Sequence, residues 1–292
     1  MRRLRKLPHQ RVLTSATANN KDLIGRRKDW HSGRDCTFIP AVTQAKIYWL
    51  FLSLIAFSAA ATAQPALTNQ QAKVCANVPT ASGKIEYLVY LPKDYSSNSN
   101  QTWPLILFLH GSGERGTNIS RVTIHGPAKL VQQGRDFPFI IVSPQCSPAE
   151  RWNPAALTRL LDEVQAQHRV DKSRLYVTGL SMGGSGTWSL AFQHPERFAA
   201  IAPICGGGDP GVIEQLSADK LAAVKTLGIW IFHGEKDPTV PIVKSEKMVE
   251  ALKKIGCTDV SFTRYPEAQH DSWTITYNNP KLYEWFLAHK RK

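Results

Sequence analysis

In Gly179-Leu180-Ser181-Met182-Gly183 a serine stands between two glycines, directly after an apolar run at 175–178 and directly before a run of small residues at 183–194. This is the G-x-S-x-G arrangement of a nucleophile held on a tight strand-to-helix turn. Such a turn strains the backbone and brings other chain so close that the positions two before and two after must be small. The hydroxyl then projects at a helix N-terminus, where N–H groups and the helix dipole favour negative charge. A serine hydroxyl needs a base to take its proton, and that base needs an acid to hold its tautomer. Asp237 and His270 follow in that order. Asp237 comes through His233-Gly234-Glu235-Lys236 after an apolar run at 229–232 and precedes Pro238, which stiffens the loop. His270 comes through Pro266-Glu267-Ala268-Gln269 after an alternating run at 261–265. Ser181 as nucleophile, His270 as base and Asp237 as its acid amount to a set for nucleophilic acyl transfer.

The surrounding pattern supplies elements to hold these residues at one edge of a sheet. Ile85, Tyr87, Val89 and Leu91 recur at period two and stop at Pro92, an early strand. Solid apolar runs at 105–109, 139–142, 175–178, 198–204 and 229–232 suit strands buried on both faces, and 261–265 a last, alternating strand. Between them, Pro154 opens a helix with Leu157, Leu160, Leu161 and Val164 on one face, and 183–194 forms a small-residue helix. Residues 244–255 form an amphipathic helix with Val249 and Leu252 inward and Gly256 as a left-handed cap, and 282–288 a closing helix. Strands alternating with helices predict an α/β fold with a mostly parallel central sheet and helices on both faces. Ser181, Asp237 and His270 all follow strands, at the carboxyl edge where open α/β sheets place their sites.

These residues resemble the α/β-hydrolase superfamily, in particular its secreted carboxylesterase, dienelactone-hydrolase-like and predicted-peptidase branch. The resemblance rests on His110-Gly111-Ser112-Gly113-Glu114-Arg115-Gly116, on 179–184, on Phe232-His233-Gly234-Glu235-Lys236-Asp237 and on Gln269-His270-Asp271-Ser272-Trp273, and it spans most of 84–290. It implies the α/β-hydrolase fold, a serine hydrolase acting on carboxylic esters without a cofactor, and the same Ser181, His270 and Asp237 roles. It further implies an oxyanion hole made by the backbone N–H of Met182 and one after His110-Gly111, that of Ser112. The expected partner is a small-molecule or polymer-linked ester. A serine peptidase of the same fold is the alternative, disfavoured by the lack of any propeller-like repeat. A non-catalytic binding protein would need none of the three residues.

Other readings compete at single positions. Asp209, after Cys205-Gly206-Gly207-Gly208, is a second candidate for the acid; Asp237 is placed ahead because the acid after the following strand is the common arrangement. Asp271 adjoins His270, but adjacent side chains point apart. His110 and His233 precede glycines at strand ends and read as loop-fixing residues, and His125, His168 and His194 lack any cluster of metal-ligand spacing. Trp152 and Trp273 suit either the pocket or the core, and Glu114 and Arg115 suit either a brace for the oxyanion loop or a solvated pair.

Charge is unevenly placed. The 292 residues carry 36 Lys/Arg and 23 Asp/Glu, a net +13, but residues 1–63 hold 11 against 3, whereas 64–292 hold 25 against 20. The basic excess belongs to a leader, and no aromatic-interleaved basic patch in the rest suggests a nucleic-acid partner. Residues 47–62 are uncharged and run into Ala61-Thr62-Ala63, which reads as a signal peptide's apolar region and cleavage site, too short and too small-residued at its end for a membrane anchor. The expectation is therefore a leader at 1–63, with translation starting near Val42 or with 1–41 as a disordered extension, and a catalytic domain at 64–292 that is secreted or periplasmic. Secretion would permit disulfides among Cys75, Cys146, Cys205 and Cys257, which otherwise serve as small buried thiols.

Overall fold

The computed structural model describes residues 67–291; the leader expected at 1–63 lies outside them. Eight strands form one sheet: β1 (Gln71–Ala76), β2 (Lys84–Tyr90), β3 (Trp103–Leu109), β4 (Ile140–Pro144), β5 (Val170–Leu180), β6 (Ala200–Ile204), β7 (Gly228–Gly234) and β8 (Val260–Tyr265). Their spatial order is β1-β2-β4-β3-β5-β6-β7-β8. The first two are antiparallel to their neighbours, and from β4 onward every pairing is parallel. The helices are α1 (Gly126–Gln132), α2 (Pro154–Gln167), α3 (Met182–Gln193), α4 (Gly211–Glu214), α5 (Ala218–Thr226), α6 (Val243–Lys254), α7 (Trp273–Asn278) and α8 (Pro280–Ala288).

Period-two alternation sorts the apolar side chains into two layers. Leu105, Leu107 and Leu109 of β3 face one layer, with Leu157, Leu160, Leu161 and Val164 of α2, Trp188 of α3 and Leu252 of α6. Ile106 and Phe108 face the other, against Val131 of α1 and Leu282 and Phe286 of α8. Every residue of β3 is buried, which is why its sequence is an unbroken apolar run. Each such side chain contributes about 1.5–3 kcal/mol by leaving water.

Several details differ from the sequence expectation. β1 went unread because only Cys75 of its six residues is buried, so an edge strand with five part- or fully exposed positions carries no hydrophobic pattern. β5 begins at Val170 rather than 175, because Val170 pairs with Trp103 across a register shift in β3. On α6 the buried position is Met248 with Leu252; Val249 is half-buried against the same layer. Gly256 does take φ +84° at the end of α6, as its cap position requires. Cys75, Cys146, Cys205 and Cys257 are all buried free thiols, so the disulfide option is not taken. Among the described residues no helix is long and apolar enough to cross a membrane.

Candidate active site

Ser181 occupies the residue between β5 and α3 with φ +51° and ψ −114°. A non-glycine residue there is strained by about 1–3 kcal/mol, so the surroundings must hold it. They do so through main chain. The Ser181 N–H donates to the Ile204 carbonyl at 2.9 Å, and its own carbonyl accepts from the Ser185 N–H at 3.0 Å. A Cβ on Gly179 would come 2.5 Å from the Gly183 carbonyl, and one on Gly183 would overlap the Leu109 carbonyl oxygen. The two glycines of the motif are therefore where the turn after β5 meets its own first helical turn and the end of β3.

The three residues expected to act together are brought together. The Ser181 hydroxyl lies 2.9 Å from His270 Nε2, and His270 Nδ1 lies 2.7 Å from Asp237 Oδ2. Nδ1–H donating to the carboxylate leaves Nε2 as the acceptor facing the serine. Asp237 Oδ1 accepts from the N–H groups of Thr239 (2.8 Å) and Val240 (2.9 Å), so the loop after β7 folds around the carboxylate. Its side chain is fully buried while His270 keeps 20% exposure. Burial alone would raise the Asp237 pKa, but the hydrogen bonds from His270, Val240 and Thr239 outweigh it and hold the carboxyl below its ordinary value. The acid thus stays ionised in a dry setting, able to stabilise an imidazolium.

His233 and His110 are braces. His233 Nε2–H donates to the Val240 carbonyl at 2.8 Å, and Nδ1 accepts from the Ser245 hydroxyl at 2.7 Å, tying the acid loop to α6. His110 Nδ1–H donates to the Gly111 carbonyl at 2.6 Å, and Nε2 accepts from the Cys146 N–H at 3.0 Å. Burial lowers both pKa values, that of His110 to about 4, so both rings stay neutral. Trp152 donates Nε1–H to the His110 carbonyl and belongs to the core.

Met182 is the first residue of α3, so its N–H is among those a helix cannot satisfy internally. Met182 and Ser112 line, with Ser181, a cavity of about 390 Å³. Ser112 opens a short 3-10 turn at 112–114 whose buried Glu114 accepts the Gly111 N–H at 3.0 Å. Glu114 and Arg115 do not pair: Glu114 turns inward, whereas Arg115 donates to the carbonyls of Ser112 (3.2 Å) and Glu150 (3.4 Å). Glu114 instead lies 3.7 Å from His125, whose ring packs on Trp273, which stands perpendicular to His270 with centroids 5.2 Å apart. Sequence reading missed this link from the loop after β3 to His270. Its one legible trace was an acidic residue inside a glycine-rich loop.

Asp209 is not near His270 in hydrogen-bonding terms; its carboxylate accepts from Gly211 N–H at 2.9 Å. Asp271 caps the following turn through the N–H and hydroxyl of Thr274. Cys205, Asp237 and His270 place ligand-type atoms within 4.8 Å of one another. His270 Nδ1 and Asp237 Oδ2 are spent on each other, and burial lifts the Cys205 thiol to about 12, so it is a thiol and not a thiolate.

The Esterase family, described as "Putative esterase", matches residues 79–248. "Probable feruloyl esterase C" of Aspergillus terreus is 28% identical over 221 residues, covering 74% of this chain and 75% of that protein. "Poly(3-hydroxyalkanoate) depolymerase C" of Paucimonas lemoignei is 29% identical over 175 residues, covering 54% of this chain and 39% of the depolymerase, so the chain spans well under half of that relative. The crystal structure of a thermostable esterase is 31% identical with TM-score 0.62, covering 76% of this chain and 64% of that one.

Proposed function

The chain belongs to the Esterase family of the α/β-hydrolase superfamily, and on that premise we propose that it hydrolyses carboxylic esters through an acyl-enzyme on Ser181. The observation that carries this reading is the hydrogen-bonded series Ser181–His270–Asp237 opening on the 390 Å³ cavity. Ser181 Oγ attacks the ester carbonyl while His270 Nε2 takes its proton. Asp237 keeps the imidazole in the accepting tautomer and stabilises it once charged. The tetrahedral oxyanion is received by the N–H groups of Met182 and Ser112, the first aided by the positive end of α3. As the C–O bond to the alcohol breaks, His270 returns the proton to the leaving oxygen. Water, activated by the same Nε2, then releases the acid and restores Ser181.

No cofactor enters these steps. The names of the relatives support esters of aromatic or hydroxy acids, free or attached to a polymer, as the substrate class. The modest insertions flanking the cavity, 112–135 and 205–227, suit an open cleft. Residues 1–63 are read as a leader removed on export, with the catalytic domain at 64–292 acting outside the cytoplasm; the sequence at 47–63 supports this. N-terminal sequencing of the exported protein would yield a terminus at Gln64 if so.

Hydrolysis of short-chain p-nitrophenyl esters by the full chain, with labelling of Ser181 by a fluorophosphonate, tests the catalytic reading. Both are lost in Ser181→Ala. A wild-type chain that is inert on esters and unlabelled overturns it, and preferential cleavage of aminoacyl p-nitroanilides moves the reading to a peptidase.

A further inference from the structure

The cavity beside Ser181 has an uneven lining. Four of its side chains are cationic, Arg115, Arg151, Lys244 and Lys247, and none is an aspartate or glutamate. Among the described residues none of these four has a carboxylate within 4.0 Å, so no ion pair neutralises the charge they bring to the cavity. Residues 64–292 carry a net charge of only +5, so the cavity gathers an excess that the rest of the surface nearly balances.

The cations come from separate segments. Arg115 belongs to the loop after β3, Arg151 precedes α2, and Lys244 and Lys247 sit three apart on the first turns of α6, side by side on one face. The Lys244 stem runs over Gly207, where an added Cβ would meet its Cδ at 2.8 Å, so the missing side chain lets the lysine cross toward the cavity. Arg115 is fixed by the Ser112 and Glu150 carbonyls. Asp209 lies between the lining residues Gly208 and Pro210, yet its carboxylate is turned to the Gly211 N–H. The same sign of field reaches His110: after burial, the charges of Arg115 and Arg121 also lower its pKa. Like charges converging on a concave wall repel one another, and the wall focuses their field inward. An anionic occupant turns that cost into attraction.

We propose, building on the ester-hydrolase reading, that the preferred substrate is an ester carrying a carboxylate, which these four side chains draw in and hold while its carbonyl meets Ser181. A neutral ester of the same shape reacts by the same chemistry but forgoes this attraction.

The test compares charge-matched pairs on the full chain. Mono-p-nitrophenyl adipate is set against its terminal amide to probe a carboxylate on the acyl side. 4-Carboxyphenyl acetate is set against 4-carbamoylphenyl acetate to probe the alcohol side. The expected result is a preference on the order of tenfold in kcat/KM for the acid of at least one pair, carried by KM, in low salt. It should shrink toward unity near 1 M NaCl, where the screening length falls to about 3 Å. The double variant R151Q/K247Q should lower the acid-to-amide ratio several-fold, and R151K/K247R should keep it. Hydrolysis of both members of each pair at equal, salt-insensitive kcat/KM overturns the charge proposal while leaving the esterase reading intact. A chain that hydrolyses neither and is unlabelled at Ser181 overturns both.

Discussion

Asp237→Asn separates the electrostatic role of the acid from its shape. The carboxylate accepts three hydrogen bonds, from Thr239 and Val240 N–H on Oδ1 and from His270 Nδ1 at 2.7 Å on Oδ2. Asparagine can accept on one side only. If its carbonyl stays on the two backbone N–H groups, its NH2 faces His270, which must then accept at Nδ1 and carry its proton on Nε2. That tautomer cannot receive the Ser181 proton. Flipping the amide to restore the His270 contact would set its NH2 against the N–H groups of Thr239 and Val240 and lose both of those hydrogen bonds, about 0.5–1.5 kcal/mol each. The wrong tautomer therefore dominates, and kcat on p-nitrophenyl acetate should fall on the order of 10³–10⁴-fold, about 4–5.5 kcal/mol of transition-state stabilisation. The fold should persist, checked by circular dichroism and a urea midpoint. Asp209→Asn, tested beside it, should change kcat/KM by less than about twofold. A folded Asp237→Asn chain retaining more than about a tenth of wild-type kcat/KM would refute the assignment of the acid.

Gly183→Ala drives a methyl into the Leu109 carbonyl; the chain should lose about 1–3 kcal/mol or more of stability in urea, and a wild-type midpoint would show that the turn can widen. Glu114→Gln removes the charged acceptor of the Gly111 N–H and the His125 contact; kcat should drop roughly tenfold with little change in KM, as expected for about 1.5 kcal/mol lost in a charged hydrogen bond that positions the oxyanion loop, and equal loss on both parameters would speak for a merely structural role. His110 titrates near 4 in the folded chain against 6.5 ordinarily. Below pH 6.5 the unfolded chain binds a proton there that the folded chain refuses until about pH 4, so stability is complete above 6.5 and falls by about 3 kcal/mol on the way down to 4. His110→Asn should make that decline shallower, without abolishing it, since His233 is held neutral in the same way; an unchanged slope in urea titrations between pH 7 and 4 would contradict it.

What could be read from the sequence follows from what leaves a local trace. The buried parallel strands announce themselves because β3, β4, β6 and β5 from Leu175 onward have both faces in the core, so composition alone marks them. The turn at Ser181 is legible for a similar reason: main chain presses on Gly179 and Gly183 from several sides, and only glycine leaves room. β1 has one buried residue and no such mark. The choice between Asp209 and Asp237 depends on which loop curls toward His270, a matter of hydrogen bonds from Thr239 and Val240 that no spacing records. The run of contacts from Glu114 through His125 to Trp273 joins positions 159 residues apart in sequence, and each partner alone looks ordinary. The cationic cavity is similar, since Arg115, Arg151 and the α6 lysines are scattered among many other basic residues until the fold gathers them.

The glycines around Ser181 have a consequence for how such a protein can diverge. Gly184 and Gly206 bring the chain after β5 and the chain after β6 into backbone contact, as Gly179 and Gly183 do for the turn itself. Ser181 is thus seated by peptide groups, whose chemistry is the same whatever side chains are swapped nearby. The walls facing it are built largely from residues on the loops after β3, β4, β6 and β7 and on the start of α6. Selection can rewrite those walls, and with them what the cavity admits, without moving the Ser181 hydroxyl.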